Sequence, residues 1–415
     1  MRVDVDAGAL PDSSVEEYDA SEAGVDAAAP SPYDFTISCA ATPCATQIAA
    51  RGGQHACALL QGGSVRCWGS NHSGQLGTGG DDDDPTSTFV ATPRPAGGVS
   101  NATSVAAAGR GRSGTTCVVA GTGDVSCFGS NASGQLGQAS GPSVGAHPEP
   151  VTIDGVSAKS ITLTSTFALA VGKDDRVWSW GNNDAFQLGR SAPAADASAS
   201  PGPAQADGVS APVVACASTL RNGFALLGSG KVASWGGGGV DDALGRASSM
   251  AVDPIAKTIA LADVSALAAG DAHACALIGG SVHCWGKNDH GQLGTGNRAD
   301  ESLPARVLFS DDVHVVAIAA GGRSSCAIAS NGGVYCWGAN EGGQSGVASA
   351  RDQRVPARIV GLTADAVQIA LMDDAACALL RDGTVSCWGK NLSGQLGRGG
   401  RDEEIHLNPA AVVFQ

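Results

Sequence analysis

The sequence predicts an all-β fold, a seven-bladed β-propeller, and three observations support this prediction. First, an aromatic–Gly step recurs seven times at intervals of about 50 to 60 residues, which indicates a repeat protein. Second, 59 of 415 residues are glycine and only 4% are aromatic, which is typical of short strands joined by tight turns. Third, the hairpin strands are apolar or small on both faces, as stacked blades require. The aromatic residues of the seven steps are Trp68, Phe128, Trp180, Trp235, Trp285, Trp337 and Trp388.

Each repeat predicts about four strands in the same order. The first is a strand of small apolar residues that ends in glycine, as at 315–321. A hairpin follows, at 57–68 in the first copy, with a glycine-rich turn at its centre. A Gly-Gln-Leu-Gly turn (74–77), a variable loop and a proline-led strand such as 303–307 complete the unit. Because no single unit buries its own apolar surface, the units must pack against one another around a ring.

The two ends of the repeat region predict how the ring closes. The first repeat begins at Gln47 and shows no proline-led strand of its own, whereas the chain ends on such a strand at 408–415. We therefore expect the C-terminal strand to pair with the first blade and complete it. This pairing would cover the last open sheet edge, which is otherwise an aggregation hazard.

The composition predicts two domains. Residues 1–46 form an acidic, Ala/Ser/Asp-rich tether, most biased in 1–32, with too few large apolar groups to offset the entropy of ordering. We expect this tether to be disordered and 47–415 to be the propeller. The chain as given shows no secretory signal at Met1. The tether resembles the linker that follows the anchor cysteine of bacterial lipoproteins, which predicts a signal or lipid anchor upstream of Met1.

Charge and hydropathy limit the classes of partner. Forty acidic against 25 basic residues give a net charge of −15, which repels phosphate backbones, so we expect no nucleic-acid partner. No stretch has the roughly 18 consecutive apolar residues of a membrane helix, so we predict no transmembrane segment. We expect a monomer that binds a protein ligand, whose identity the sequence leaves unknown, and that uses no cofactor.

Ten of the 13 cysteines fall in five hairpins, two to a hairpin. A three-residue turn, or a two-residue turn in the one pair with shorter spacing, places the two cysteines directly opposite each other at disulfide distance. Buried free thiols and zinc binding are the alternatives, and an oxidising compartment follows only from disulfides. The predicted pairs are Cys57/Cys67, Cys117/Cys127, Cys275/Cys284, Cys326/Cys336 and Cys377/Cys387.

The other hairpins provide an internal test of this pairing. Two hairpins lack both cysteines and none keeps a single one, which favours bonding over isolated thiols. Cys39 and Cys44 are candidates for a local bond, and Cys216 lies in an apolar strand as a buried thiol. The residues that we assign to the places of the missing cysteines are Phe167/Ser179 and Phe224/Ser234.

The motif His-x-Cys-Ala-Leu, followed by Cys-Trp-Gly-x-Asn and Gly-Gln-Leu-Gly, resembles the repeat of the regulator of chromosome condensation family. It is carried best by 55–59, 67–71 and 74–77, and the resemblance covers 47–415. Copies three and four depart from the turn motif, so we expect their blades to be the least regular. The resemblance implies a seven-bladed propeller and macromolecular binding, since members include guanine-nucleotide exchange factors, ubiquitin-ligase modules, an ultraviolet receptor and a β-lactamase inhibitor. It implies no functional residue, because the motif residues are scaffold.

Two features of the sequence are candidates for chemistry. The acidic run 81–84 offers oxygen ligands to calcium but lacks the alternation of a binding loop, so a solvated loop is the alternative. His55 and His273 occupy one repeat position that Ser324 also fills, which favours a structural hydrogen bond over catalysis. No sialidase Asp-box, nucleophile elbow, zinc-binding helix or phosphate loop occurs. We therefore predict no enzyme and no catalytic, cofactor or metal site.

Loop length differs among the repeats. Copies one to three carry long insertions after the Gly-Gln-Leu-Gly turn, at 78–104, 138–159 and 190–209. Insertions of this kind often form the binding surface of a repeat protein, and drift of tolerated loops is the alternative.

These features together predict a non-catalytic binding or scaffold module, secreted or held at the cell surface, with a protein as its ligand. A guanine-nucleotide exchange factor for a small GTPase is one alternative, although it requires a reducing compartment that the hairpin cysteines oppose. A carbohydrate-acting propeller enzyme is the other, although neither an Asp-box nor an acid pair supports it.

Overall fold

The strands follow the predicted order. The computed structural model describes residues 33–40, 42–78, 88–138, 141–190, 202–238, 243–310, 313–349 and 351–414. Within these ranges the chain forms 27 β-strands and no α-helix, which confirms the all-β prediction. None of this described part provides a helix that could cross a membrane.

Four antiparallel strands make one blade, and the chain forms seven blades. Blade 1 is β1 (Ala45–Ala49), β2 (His55–Leu60), β3 (Val65–Ser70) and β4 (Phe89–Pro95). Blades 2 and 3 are β5 (Ala102–Arg110), β6 (Ser113–Ala120), β7 (Asp124–Gly129), β8 (Val151–Leu163), β9 (Phe167–Gly172), β10 (Val177–Gly181) and β11 (Ala204–Gln205). These two blades share β8, which pairs first with β7 and then with β9.

The remaining blades are four separate sheets. Blade 4 is β12 (Val213–Ser218), β13 (Asn222–Leu227), β14 (Val232–Gly237) and β15 (Val252–Thr258); blade 5 is β16 (Val264–Ala269), β17 (His273–Ile278), β18 (Ser281–Gly286) and β19 (Glu301–Arg306). Blade 6 is β20 (Val315–Gly321), β21 (Ser324–Ala329), β22 (Val334–Gly338) and β23 (Gln353–Arg358); blade 7 is β24 (Ala366–Leu371), β25 (Ala375–Leu380), β26 (Val385–Lys390) and β27 (Ile405–Ala411).

The predicted pairing of the C-terminal strand with the first blade is wrong. The last strand, β27, pairs with β26 in blade 7, and blade 1 is completed by its own β4. The sequence did not predict β4, because this strand lies inside 78–104, a range rich in Pro, Asp and Ser whose composition indicates a loop. Each blade is therefore continuous in sequence, and no strand is shared between the first and last blades.

Side-chain packing closes the ring. Seven hydrophobic clusters fill the seven interfaces between neighbouring blades. The cluster between blades 7 and 1 contains Ile48 and Trp68 from one side and Met372 and Leu396 from the other. Every blade has an apolar layer on both faces. Burial of this seventh interface therefore joins blade 7 to blade 1 and closes the ring.

Polar contacts reinforce the closing interface. The side-chain oxygen of Gln368 in blade 7 accepts a hydrogen bond of 2.9 Å from the backbone N–H of Ile48 in blade 1. Gln47 makes the same type of link to blade 2, where its amide donates to the carbonyl of Val105 and accepts from its N–H. The backbone N–H of Gly52 donates to the carbonyl of Leu371, also at 2.9 Å. These bonds pair first strands that belong to different sheets.

The tryptophans tie each blade to the one before it. The indole Nε1 of Trp68 donates to the carbonyl of Gln395 at 2.9 Å, across the closing interface. Five further tryptophans make the equivalent bond: Trp180, Trp235, Trp285, Trp337 and Trp388. Phe128 has no donor, and the Thr116 hydroxyl supplies the bond to the carbonyl of Gln75 instead, at 2.7 Å.

The hairpin cysteines lie directly opposite each other in the register of the second and third strands of their blades. Their Cα–Cα distances are 4.0 to 4.1 Å, and the structure joins each pair in a disulfide bond. Oxidation of these thiols in the native protein stays a prediction, which peptide mapping tests. The five pairs are Cys57–Cys67, Cys117–Cys127, Cys275–Cys284, Cys326–Cys336 and Cys377–Cys387.

Each of these pairs packs against the aromatic residue of the next blade. The pair in blade 7 shares a hydrophobic cluster with Trp68, and the pair in blade 1 shares one with Phe128. The pairs in blades 2, 5 and 6 meet Trp180, Trp337 and Trp388 in the same way. The other three cysteines lie apart from the hairpin pairs: Cys39 is bonded to Cys44, and Cys216 is a free, partly buried thiol.

One assignment in the cysteine-free hairpins needs correction. The residue opposite Ser179 is Leu169, and Phe167 lies opposite Gly181 instead. The pairing of Phe224 with Ser234 is as predicted. The error arose because two apolar residues of the same strand face the same interface, so spacing alone did not distinguish them.

The folded unit begins earlier than the predicted boundary at Gln47. It starts at Tyr33, whose hydroxyl donates to the carbonyl of Ala366 in blade 7 at 2.7 Å. The guanidinium of Arg381 lies 5.0 Å from the Tyr33 ring centre and forms an ion pair with Asp34. Residues 33–40 therefore belong to the folded body, and 1–32 lie outside the described residues.

Candidate binding face at the mouth of the channel

The turns that follow the third strands, Gln-Leu-Gly at 75–77 and Gln-Ser-Gly at 344–346, bring together the loops at one end of the ring. The amide of Gln75 donates to the carbonyl of Arg112 in the next blade at 2.7 Å, and Gln344 contacts the carbonyl of Asp373 in the same way at 3.1 Å. Both acceptors lie in turns between the first and second strands of a blade. We call this end of the ring the mouth face, because the first strands surround the central channel there.

Arg51 spans the channel at the mouth face. It follows β1 of blade 1, and its guanidinium donates to the carbonyls of Leu163 in blade 3, Ser218 in blade 4, and Ala269 and Gly270 in blade 5. Burial lowers the pKa of Arg51 to about 10, so it stays charged at neutral pH. One side chain thus links four blades and closes this end of the channel.

Glycines let the ends of the first strands approach one another around Arg51. Gly52 has a φ of +57°, and a Cβ there would lie 2.7 Å from the carbonyl oxygen of Gly109. A Cβ on Gly270 would lie 2.7 Å from the carbonyl oxygen of Gly322. The glycines that follow the first strands of blades 1 and 5 are therefore a packing requirement of this end of the ring.

Carboxylates with raised pKa values lie in the same region. Burial raises the pKa of Asp373 to about 6, a hydrogen bond from the backbone N–H of Gly111 at 2.9 Å opposes the shift, and the charges of Asp271 and Asp374 add to it. Burial also raises the pKa of Asp271, against the charges of three nearby arginines. Asp373 therefore titrates close to neutral pH.

Exposed arginines stand beside these carboxylates. Arg323 donates to Nε2 of His290 at 2.8 Å, and Nδ1 of His290 contacts the carboxylate of Asp352 at 3.1 Å. This arrangement orients Arg323, since a neutral imidazole with its proton on Nδ1 satisfies both neighbours. The exposed arginines at this face are Arg110, the last residue of β5, together with Arg112, Arg221 and Arg323 in turns between first and second strands.

Sequence reasoning missed these residues. Charged residues stand at the end of the first strand or in the turn that follows it in several copies, at Arg110, Asp271, Arg323 and Asp373. Comparison of this segment among the seven copies would have identified them, because the first strands before it are mostly small and apolar.

The two histidine candidates serve the scaffold, as the repeat position predicts. His55 and His273 are buried, and Nε2 of each contacts a hydroxyl in the next blade, Thr116 at 3.1 Å and Ser325 at 2.8 Å. Burial lowers the pKa of His55 to about 4 and that of His273 to about 3. Both are therefore neutral at physiological pH and hold neighbouring blades together.

The ten hairpin cysteines belong to the scaffold and not to the mouth face. All ten are at most 1% exposed, so none of them can contact a partner at the surface. In each hairpin the first cysteine lies on the second strand and its partner on the third strand. The third-strand members are Cys67, Cys127, Cys284, Cys336 and Cys387. These residues therefore stabilise the blades, and the charged turns of the mouth face are the candidates for binding.

The long insertions are only partly loops. The range 78–104 contains β4, 138–159 contains the first part of β8, and 190–209 contains β11, so these ranges include blade strands as well as loop. The connections between third and fourth strands do differ, being longer in the first three blades (71–88, 130–150, 182–203) than in the last four (238–251, 287–300, 339–352, 391–404). The acidic run 81–84 lies outside the described residues.

Comparison with known proteins identifies the repeat. Models of the regulator of chromosome condensation (RCC1) repeat match residues 279–328 and 331–379, and a second model of that repeat matches 45–75, 315–344 and 366–395. Together these matches cover residues 45–75 and 279–395. The matches include the hairpins and Gln-Leu-Gly turns whose scaffold roles are described above, which explains why the motif residues say little about ligand.

Among curated proteins, this chain is 28% identical over 260 residues to the ultraviolet-B receptor UVR8 of Arabidopsis thaliana, covering 60% of this chain and 56% of that one. It is 32% identical over 168 residues to the human probable E3 ubiquitin-protein ligase HERC3, covering 40% and 16%. This chain therefore spans little more than half the length of the first relative and much less of the second. These relatives are eukaryotic and lend no support to the predicted bacterial, lipoprotein-like character.

Two solved structures share the fold. Human WBSCR16 superimposes with a TM-score of 0.74 at 22% identity, over 85% of this chain and 95% of that one. Prp20p of Saccharomyces cerevisiae superimposes with a TM-score of 0.70 at 21% identity, over 85% and 86%. These similarities confirm the propeller prediction.

Proposed function

We propose that this chain is a non-catalytic protein-binding module and that its partner binds the mouth face. The observation that carries the proposal is the set of exposed arginines beside Asp271 and Asp373, at the end of a channel that Arg51 closes. Because Arg51 fills the channel there, a partner must contact the surface of this face. Charged residues on a rigid rim give orientation and specificity to such a contact.

A relative supports the class of partner. Prp20p is described with binding properties to Gsp1p and histones, so a propeller of this fold binds proteins. We transfer only the class, because similarity at 21% identity shows the fold and not the ligand. Within the described residues, no group of three His, Cys, Asp or Glu side chains is arranged to hold a metal ion.

We further propose an oxidising, extracellular or cell-envelope location. The ten hairpin cysteines are buried and lie in pairs at disulfide distance, an arrangement that persists where thiols are oxidised. Peptide mapping of alkylated, non-reduced protein from its native source should show all five pairs linked. Recovery of those ten cysteines in alkylated form would contradict this location, and would revive the exchange-factor alternative.

The binding proposal is tested by affinity capture from the native source with two charge-matched variants. Arg110→Glu with Arg323→Glu reverses charge at the mouth face, and we expect it to lose the partner that the wild type retains. Arg176→Glu with Lys231→Glu makes the same change at the opposite face and should retain it. Equal retention, or equal loss, by the two variants would contradict the proposal, provided that circular dichroism shows both folded.

A further inference from the structure

Two arginines enclose a phenylalanine on the mouth face. The Arg401 guanidinium carbon lies 4.6 Å from the Phe89 ring centre, and that of Arg112 lies 5.3 Å from it. The His72 ring meets the same phenylalanine edge-on, with ring centres 4.9 Å apart. Phe89 begins β4 of blade 1, Arg112 lies in the first turn of blade 2 and Arg401 in the last loop of blade 7, so three blades contribute.

The surrounding backbone holds this cluster in place. The carbonyl of Arg112 accepts hydrogen bonds from the Ser70 hydroxyl at 2.6 Å and from the Gln75 amide at 2.7 Å. The Ser70 hydroxyl is also 3.1 Å from Nδ1 of His72. Stacking of an exposed guanidinium on an aromatic face adds about 0.5–1 kcal/mol, enough to favour one orientation of a long side chain. The hydrogen bonds therefore hold the backbone of Arg112, and stacking on Phe89 favours one orientation of each guanidinium.

The guanidinium groups of this cluster are available to bind an anion. Among the residues that the structure describes, neither Arg112 nor Arg401 forms an ion pair, and both are exposed. Burial and the charge of Arg112 lower the pKa of His72, which favours its neutral form, so the positive charge of the cluster comes from the two arginines. Guanidinium groups bind carboxylates through two parallel hydrogen bonds, and an aromatic surface beside them excludes water.

We propose that Phe89, Arg112 and Arg401 form a subsite for an acidic peptide segment of the partner protein. This inference rests on the proposed function and specifies the chemistry of its ligand. A peptide fits better than a nucleic acid, because the chain carries a net charge of −15 and this cluster holds two cations, whereas nucleic-acid sites use broad basic surfaces.

The test is binding of a fluorescein-labelled decaglutamate peptide to the full chain, measured by fluorescence anisotropy. We expect Arg112→Ala with Arg401→Ala to weaken binding about tenfold or more, since charge-assisted hydrogen bonds are lost. Arg351→Ala with Arg354→Ala removes the same charge from exposed positions in blade 6 and should leave affinity within about twofold. Phe89→Leu keeps both charges and should weaken binding about threefold through loss of the stack.

Three results would overturn the inference: no binding of decaglutamate by the wild type, equal weakening by the two double variants, or tighter binding of a single-stranded DNA oligonucleotide through the same two arginines. Melting temperatures of all variants establish that they are folded. If the chain captures a partner through Arg110 and Arg323 but does not bind decaglutamate, the proposed function stands and the proposed subsite is refuted.

Discussion

Blades 3 and 4 solve the same packing problem as the five disulfide-bonded blades with different chemistry. In blade 7, for example, Cys377 and Cys387 cross-link the hairpin and pack against Trp68. In blade 4, Phe224 takes the place of the first cysteine and packs against Trp285, with ring centres 5.9 Å apart. In both types of blade, the tryptophan of the following blade thus packs against a buried group of the hairpin.

Arginine–serine contacts occupy the place of the missing bonds. Arg190 donates to the hydroxyl and carbonyl of Ser179 in blade 3, and Arg246 does the same to Ser234 in blade 4. In blade 7 an arginine reaches the carbonyl of Cys387 even though the disulfide is present. The guanidinium is therefore compatible with both solutions, and it meets a serine hydroxyl only where cysteine is absent within the described blades.

The two types of blade therefore share one shape, and the repeat leaves the type of bonding open. A disulfide limits the unfolded chain, whereas an arginine bonded to buried acceptors acts only in the folded state. Variants of the two types of blade separate these contributions.

Removal of one disulfide should cause the largest loss. Cys377→Ala with Cys387→Ala opens a ten-residue loop and leaves a cavity beside Trp68, so we expect the free energy of unfolding to fall by about 3–4 kcal/mol. Urea unfolding measures it. The control is Cys216→Ala, which breaks no bond and should change stability by less than about 1 kcal/mol. A loss below that level in the double variant would show that the cross-link adds little.

Loss of the arginine in blade 4 should rank second. Arg246 and Asp253 form an ion pair of 2.7 Å with side chains only 10% and 3% exposed. Arg246→Met leaves the carboxylate with Lys257 as its remaining ion-pair partner in the structure, so we expect a loss of about 2–3 kcal/mol in urea unfolding. Arg351→Met, at an exposed position, should cost less than about 0.5 kcal/mol. Equal losses of unfolding free energy in the two variants would show that the buried ion pair does not contribute to stability.

Mild acid should weaken the disulfide-bonded blades that carry histidine. The folded pKa values of His55 and His273 lie below the unfolded value near 6.5, so the unfolded chain binds protons first and stability falls as pH drops below that value. From pH 7 to 5 we expect a loss of about 1–2 kcal/mol per histidine, measured by thermal unfolding. Asp373 acts in the opposite direction, because its raised pKa favours folding at lower pH.

Histidine variants measure how much of this loss of stability in acid comes from the disulfide-bonded blades. His55→Gln with His273→Gln should flatten the dependence between pH 5 and 7. In blade 4, burial raises the pKa of Asp253 but hydrogen bonds from Arg246 and Lys257 outweigh it, so the net shift is downward. Its contribution is therefore full above the unfolded pKa and is lost only as pH falls through the lower folded pKa. An unchanged slope in the histidine variant would refute the assignment.

A new cross-link in blade 3 should have the smallest effect. Leu169 and Ser179 are directly opposed, in the register of the native cysteine pairs, so Leu169→Cys with Ser179→Cys should form a disulfide. We expect a gain of about 1 kcal/mol, because the bond is offset by lost contacts of Arg190. Melting temperature with and without dithiothreitol measures it. A variant that forms the bond but melts no higher would show that the arginine–serine contact is already equivalent.

The sequence indicated the repeating parts of this molecule in detail. Strand order, the opposition of Cys275 with Cys284 across a shorter turn, and the structural role of His55 were all readable, because each depends on neighbours in one hairpin or on one repeat position. The start of the folded unit and the partner of Ser179 were not, since apolar spacing admits more than one answer there.

The local sequence pattern therefore determined the structure of each blade. The packing of the seven blades into a ring determined which residues of different blades meet. Side-chain period and turn length act over about ten residues, so they specify a hairpin without knowledge of the whole chain. Ring closure by packing, the reach of Arg51 to Ser218, and the meeting of Arg401 with Phe89 join residues far apart in sequence. Only the number and tilt of stacked blades set which loops meet across the channel, and that geometry decides which charged side chains form the mouth face.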